Sequence, residues 1–137
     1  MDCLFCKIGK KEIAAEIIYE DASAVVILDV NPRAPGHAMV LPKKHVETIL
    51  DLDAPETGLI FEAVKKTVAI IKNALLPDGF TIGINQGRAA GQIIEHLHIH
   101  VIPRYKNDGG GSIHSVIENP PKESLQEIKN KILKLNN

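Results

Sequence analysis

The chain reads as an α+β protein, an antiparallel β-sheet around one long helix with a second helix near the C-terminus. Three observations carry this reading. Short aliphatic or β-branched runs recur through the first two thirds of the sequence, and one long stretch places apolar residues at helical spacing. Strands and helices also never settle into the regular alternation of a parallel sheet. At 137 residues the chain fits a single domain, residues 1–137, long enough to bury a real core.

Ile17 to Tyr19 and Ala24 to Asp29 are apolar runs separated by Glu20-Asp21-Ala22-Ser23, and together they read as a hairpin. Asn31-Pro32-Arg33-Ala34-Pro35-Gly36 then breaks the second strand, because neither proline can donate to a ladder and the glycine relaxes the backbone. His37 to Leu41 resumes as a strand. Asp53-Ala54-Pro55-Glu56 combines an N-cap, an early proline and a glutamate three residues after the cap. Ile60, Val64, Val68, Ile71 and Leu75 follow at helical spacing, so a long amphipathic helix is expected from about Pro55 to Leu75. Phe80 to Asn85 reads as a strand, Gln86 to Gly91 as a turn, and Glu95 to Ile102 as a strand rich in histidine. Lys106-Asn107-Asp108-Gly109-Gly110-Gly111-Ser112 is a mobile loop by composition. A last helix, from about Lys122 to Leu135, carries Leu125, Ile128, Ile132 and Leu135 inward.

Sixteen basic residues against seventeen acidic ones leave no basic field for a polynucleotide and no acidic tail. No apolar run approaches the roughly 20 residues of a membrane span, and Met1-Asp2-Cys3-Leu4-Phe5-Cys6 does not open like a secretory signal. A soluble, cytoplasmic protein with neither a nucleic-acid nor a membrane partner is expected. Cys3 and Cys6 are the only cysteines, too few for a disulfide framework but spaced as half of a metal or redox motif.

The functional signal concentrates in His96-Leu97-His98-Ile99-His100-Val101-Ile102. In a strand, alternate side chains share a face, so the three imidazoles would form one row while Leu97, Ile99 and Val101 face the other way. Three of the six histidines crowd into five positions, which argues against an incidental polar face. A row of imidazoles suits nucleophilic chemistry or a metal site.

With Asn85-Gln86-Gly87, Ala90-Gly91-Gln92 and Pro103-Arg104 around it, this run resembles the motif of the histidine triad (HIT) family of nucleotide hydrolases and transferases. Pro35-Gly36-His37 and Leu41-Pro42-Lys43-Lys44-His45 match the family upstream, as do Phe5-Cys6-Lys7-Ile8, Lys11-Glu12-Ile13 and Glu20-Asp21. The likeness runs from about Asp2 to Arg104 and is nearest to the Hint-like branch, whose members hydrolyse purine nucleoside phosphoramidates and acyl-adenylates. It implies a HIT-like fold, a purine nucleotide substrate and a homodimer.

The resemblance makes His98 the nucleophile on the α-phosphorus, giving a covalent nucleotidyl-histidine. Free imidazole, with a pKa of about 6.5, is largely unprotonated at neutral pH and suits that role. In the family a main-chain carbonyl near the first histidine takes the proton of the other ring nitrogen. His100 and His37 correspond to positions beside the phosphate oxygens, where donors stabilise developing charge. Gly91 and Gln92, with the turn from Gln86, would bring amide donors to the same oxygens. Asp29 matches the acid that grips the ribose hydroxyls, and Asn85 would reach ribose or phosphate. Phe5, Ile8, Ile27 and Val30 match the residues that sandwich the purine, although core is the ordinary place for such side chains. Ile93 stands where many Hint-like members carry a serine or threonine near the leaving group, a departure that bears on the substrate.

Cys3 and Cys6 make half a tetrahedral zinc site. The resemblance completes it with His45 and His96, giving a structural zinc and leaving the chemistry at His98 without need of a cofactor. Free reduced thiols are the alternative, and a redox pair is disfavoured by the lack of a βαβ context. Other readings are a dinucleoside polyphosphate hydrolase, whose branch has glutamine at the position of Asn85, a nucleotide-binding protein with vestigial catalysis, and a hydrolase with catalytic zinc.

Overall fold

The computed structural model describes residues 2–135. In chain order the elements are helix α1 (Leu4–Gly9), strands β1 (Ile17–Glu20), β2 (Ala24–Leu28) and β3 (Ala38–Pro42), helix α2 (Ala54–Leu75), strands β4 (Gly79–Gly83) and β5 (Ile99–Arg104), and helix α3 (Leu125–Leu135). The strands form one antiparallel sheet in the order β1-β2-β3-β5-β4, so the α+β class holds. No helix among the described residues is long and apolar enough to cross a membrane.

Local chemistry accounts for the punctuation. Asp21 Oδ1 accepts from the main-chain N–H groups of Ser23 and Ala24, each at 2.8 Å, and so closes the β1–β2 hairpin. At the start of α2, Asp53 Oδ1 accepts from the Glu56 N–H at 2.8 Å while Glu56 Oε2 accepts from the Asp53 N–H at 3.0 Å. Two otherwise orphaned donors are thereby satisfied reciprocally, as the sequence anticipates.

Both faces of the sheet centre are covered. Ile60, Ala63, Val64 and Ile71 of α2 pack on Ala24, Val26, Ala38, Val40, Ile99 and Val101. On the opposite face, Phe5 and Ile8 of α1 pack on Val25, Ile27, Met39 and Leu41. Successive residues of β2 and β3 are therefore apolar without alternation, as strands buried on both sides require. A fully buried side chain such as Leu41 or Ile99 contributes about 1.5–3 kcal/mol.

Several boundaries differ from the sequence reading. The histidine strand begins at Ile99, four residues later than expected from Glu95, and runs on to Arg104. Ahead of it the His96 N–H donates to Ile94 O at 2.8 Å and the Leu97 N–H to Val46 O at 2.7 Å, which diverts the backbone from the ladder. The strand expected over Phe80 to Asn85 is Gly79–Gly83, paired residue for residue with β5. Helix α1 was not foreseen. The loop expected to be mobile between Lys106 and Ser112 is organised around Asp108, which takes both Arg104 Nε at 2.7 Å and the Gly110 N–H at 2.9 Å, while Arg104 also donates to Gly111 O at 2.7 Å. The last helix starts at Leu125 rather than Lys122, and its apolar stripe does not face inward: Leu125, Ile132 and Leu135 are exposed and Ile128 is half-buried.

Gly36 sits where the loop after β2 crosses the end of α2. Its φ is +88°, and an added Cβ would lie 2.6 Å from Leu75 Cδ1 and 3.2 Å from Pro103 Cγ. Gly36→Ala is expected to destabilise the fold by about 1–3 kcal/mol through left-handed strain and crowding, as measured by urea unfolding.

Candidate functional site

β5 lies between β3 and β4, with His100 opposite Met39 on one side and Gly83 on the other. His98 and His96 precede the strand on the segment tied to Ile94 and Val46. The rings still cluster. Those of His98 and His100 have centroids 5.2 Å apart, and Phe5 meets His96 and His98 edge-on at 5.8 Å and 5.2 Å.

Main-chain groups assign the protons of the neutral rings. His98 Nδ1 donates to the His96 carbonyl at 2.8 Å, which leaves the lone pair on His98 Nε2. The Arg33 N–H donates to His37 Nδ1 at 3.0 Å, so the proton of His37 is on Nε2. His37 Nε2 in turn donates to His100 Nδ1 at 2.9 Å, which leaves the proton of His100 on Nε2. One ring thus offers a lone pair and its neighbour offers a donor.

Asp29 completes this arrangement. Its Oδ2 is 3.5 Å from His37 Nε2 and 3.9 Å from His100 Nδ1, while Oδ1 accepts from the Asn31 N–H at 2.8 Å. Asp29, His37 and His100 are close enough to hold a metal. The Arg33 N–H opposes this, because it keeps the proton of His37 on the nitrogen that a metal would need.

A cleft of about 460 Å³ opens over this group. Phe5, Ile8, Ile27, Asp29, Val30, Asn85, Gly91, Ile93, His98 and His100 all line it, so nearly all the residues singled out for nucleotide binding meet in one place. Phe5, Ile8 and Ile27 are buried and form its floor, whereas Val30 and Ile93 are 88% and 89% exposed at its rim. Gln92 departs from expectation and does not line the cleft. Its Nε2 donates to Glu47 O at 2.9 Å and Ile94 O at 3.2 Å, and its Oε1 accepts from the Gly87 N–H at 2.8 Å, which laces the 86–94 turn to the loop after β3. Leu4, Leu28, Asn31, Met39 and Ile94 also line the cleft and were not singled out. Met39 was within reach, since it alternates with the α2-facing Ala38 and Val40.

Beyond His96 lies a second cluster, Cys3, Cys6, His45 and His96, that could hold a metal ion. His96 Nε2 donates to Pro42 O at 2.8 Å, so its Nδ1 lone pair faces the sulfurs of Cys3 at 3.4 Å and Cys6 at 3.5 Å. His45 Nδ1 is 3.3 Å from Cys6 Sγ. Ligand atoms around tetrahedral zinc, with bonds of about 2.3 Å to sulfur and about 2.0–2.1 Å to nitrogen, lie about 3.5 Å apart. The four side chains therefore fit zinc in both donor type and spacing. Burial lowers the pKa of His96, which keeps its ring in the neutral form that a metal requires.

The chain is similar to known proteins over most of its length. The HIT domain family model matches residues 10–107. An uncharacterized HIT-like protein of Methanocaldococcus jannaschii is 44% identical over 128 residues, 93% of this chain and 98% of its own length. An adenosine 5'-monophosphoramidase of Schizosaccharomyces pombe is 34% identical over 80% of both chains. An adenylylsulfatase of Arabidopsis thaliana is 40% identical over 78% of this chain and 54% of its own. The crystal structure of a HIT family member from Bacillus subtilis superposes with a TM-score of 0.85 at 33% identity, covering 98% of this chain and 96% of that one. A zinc-bound histidine triad protein from Mycobacterium smegmatis gives 0.74 at 28% identity, covering 99% and 96%.

Burial pushes the pKa of His37 and of His100 below the ordinary imidazole value, with Asp29 opposing the shift in both. The unfolded chain takes up these protons near pH 6.5 while the folded chain resists. Their contribution to stability is thus complete above about pH 6.5 and is lost on acidification towards the lowered folded values. The melting temperature is expected to fall between about pH 7 and pH 5.5, and less steeply in His100→Gln.

Proposed function

The chain belongs to the HIT domain family, and on that premise we propose that it is a nucleotide hydrolase cleaving purine nucleoside 5'-phosphoramidates or acyl- and aminoacyl-adenylates. The observation that carries this reading is the pairing of His98 and His100 in one cleft, the first with a lone pair on Nε2 and the second with a proton there.

His98 Nε2 attacks the α-phosphorus, a phosphorus–nitrogen bond forms to the ring, and the bond to the leaving group breaks with its electron pair, an amine leaving group taking up a proton from solvent. Water then cleaves the nucleotidyl-histidine, releasing the nucleoside monophosphate and restoring His98. As charge builds on the phosphate oxygens, His100 donates from Nε2 and is held to that role by His37, which is held in turn by the Arg33 N–H. Oxyanion donors of this kind contribute about 3–4 kcal/mol each. The purine lies against Phe5, Ile8 and Ile27, and Asp29, which lines the same cleft, takes the ribose hydroxyls. Relatives named as a phosphoramidase and an adenylylsulfatase support a phosphorus-centred displacement.

Cys3, Cys6, His45 and His96 hold a structural zinc in this reading, supported by their spacing and by the zinc-bound neighbour. When bound, zinc would cross-link α1 to the segment before β5.

His98→Ala is expected to lower turnover of adenosine phosphoramidate by at least about 10³-fold while AMP still binds. Intact mass spectrometry of quenched reactions is expected to show an adenylate adduct on the native chain and none on the variant. Turnover unchanged in His98→Ala would refute the nucleophile. Purified protein is expected to carry about one zinc per chain by atomic emission, with the metal lost and the melting temperature lowered in Cys6→Ser.

A further inference from the structure

The cysteines of the metal cluster bracket a residue of the nucleotide cleft. Cys3 and Cys6 flank Phe5 at the start of α1, where the Cys6 N–H donates to Cys3 Sγ at 3.5 Å. Phe5 is buried and lines the cleft. Its ring stands at 88° to that of His96, a member of the cluster, and at 70° to that of His98. One side chain therefore touches a candidate metal ligand, the candidate nucleophile and the floor that receives the base.

Helix α1 is only six residues long, far too short to persist unaided. Its position depends on what its side chains are tied to: the cluster at Cys3 and Cys6, and the sheet at Phe5 and Ile8. A metal bound to the sulfurs would hold α1 on the sheet and keep Phe5 in place. A nucleotide seated against Phe5 would hold the same turn and keep both sulfurs in reach of His45 and His96. Each ligand bears an ordering cost that the other then need not bear again.

We infer that metal and nucleotide bind with positive reciprocal coupling, and that Phe5 is the positioning residue that transmits it. This rests on the zinc and nucleotide readings above. Linkage requires the same factor in both directions, expected here to be about tenfold.

The test measures zinc affinity by competition with a chromogenic chelator, with and without saturating AMP, and AMP affinity by calorimetry with and without zinc. The native chain is expected to bind each ligand about tenfold more tightly in the presence of the other. Phe5→Leu, which keeps an apolar side chain but removes the flat ring, is expected to bind both ligands with a coupling factor near one. Native protein that binds both with equal affinities in all states overturns the coupling, and full coupling in Phe5→Leu overturns the role given to Phe5. Protein that binds no zinc, or no AMP, overturns the underlying reading and the coupling with it. Because the native measurements need no variant, they decide the coupling even if Phe5→Leu fails to fold.

Discussion

The site depends on the orientation of one peptide group, the carbonyl of His96. By accepting from His98 Nδ1 at 2.8 Å it decides which nitrogen of that ring keeps a lone pair. The carbonyl is oriented because the residue around it is tied down in two other ways. The Leu97 N–H, the other half of that peptide group, donates to Val46 O at 2.7 Å, and the His96 imidazole is anchored through Nε2 to Pro42 O at the end of β3. These bonds are buried or part-buried, where an unmet donor costs about 1–3 kcal/mol, so the peptide has little freedom to turn. The same residue then presents Nδ1 to the cysteine sulfurs.

The sheet separates support from chemistry by face. α2 shields one side with Ile60, Ala63, Val64 and Ile71, and among the described residues no histidine belongs to that core cluster. On the other side α1 is too short to reach across, so the surface around His98, His100 and Asn85 stays open as the cleft. Ile27 and Met39 serve as core beneath α1 and as lining of that opening. A substitution there acts on packing and on the cleft together, and the two effects have to be separated by measurement.

Much of this was legible in the residues. The reciprocal cap of α2, the Asp21 turn and the apolar strands follow from short-range rules that operate at those positions. Ten of the residues that line the cleft, from Phe5 to His100, follow from the resemblance, and the structure brings them together. What the sequence hid was long-range or belonged to the main chain. Nothing in the residue types indicates that the N–H of Arg33 would set the proton of His37, or that Gln92 would spend its amide on lacing loops. Periodicity extended the histidine strand back to Glu95 because it cannot register Leu97 pairing with Val46 in place of a neighbouring strand. The glycines after Asp108 suggested motion, but Arg104 organises that loop. In α3 the helical period was right and the inward orientation was not, since Leu125 and Leu135 meet solvent.

The sheet order also constrains how the molecule is made. β5 inserts between β3 and β4, although the chain between Pro42 and Ile99 includes the whole of α2. Closing so long a loop is slow compared with forming the β1–β2 hairpin or α2, which need only nearby residues. During synthesis the hairpin, β3 and α2 are complete before any triad histidine has been added, and the sheet has a gap where β5 will go. The floor of the cleft is therefore laid down early and its reactive groups arrive last. A chain interrupted before Arg104 would display an apolar edge open to pairing with other strands, so the arrival of β5 covers an edge prone to aggregation as well as completing the site.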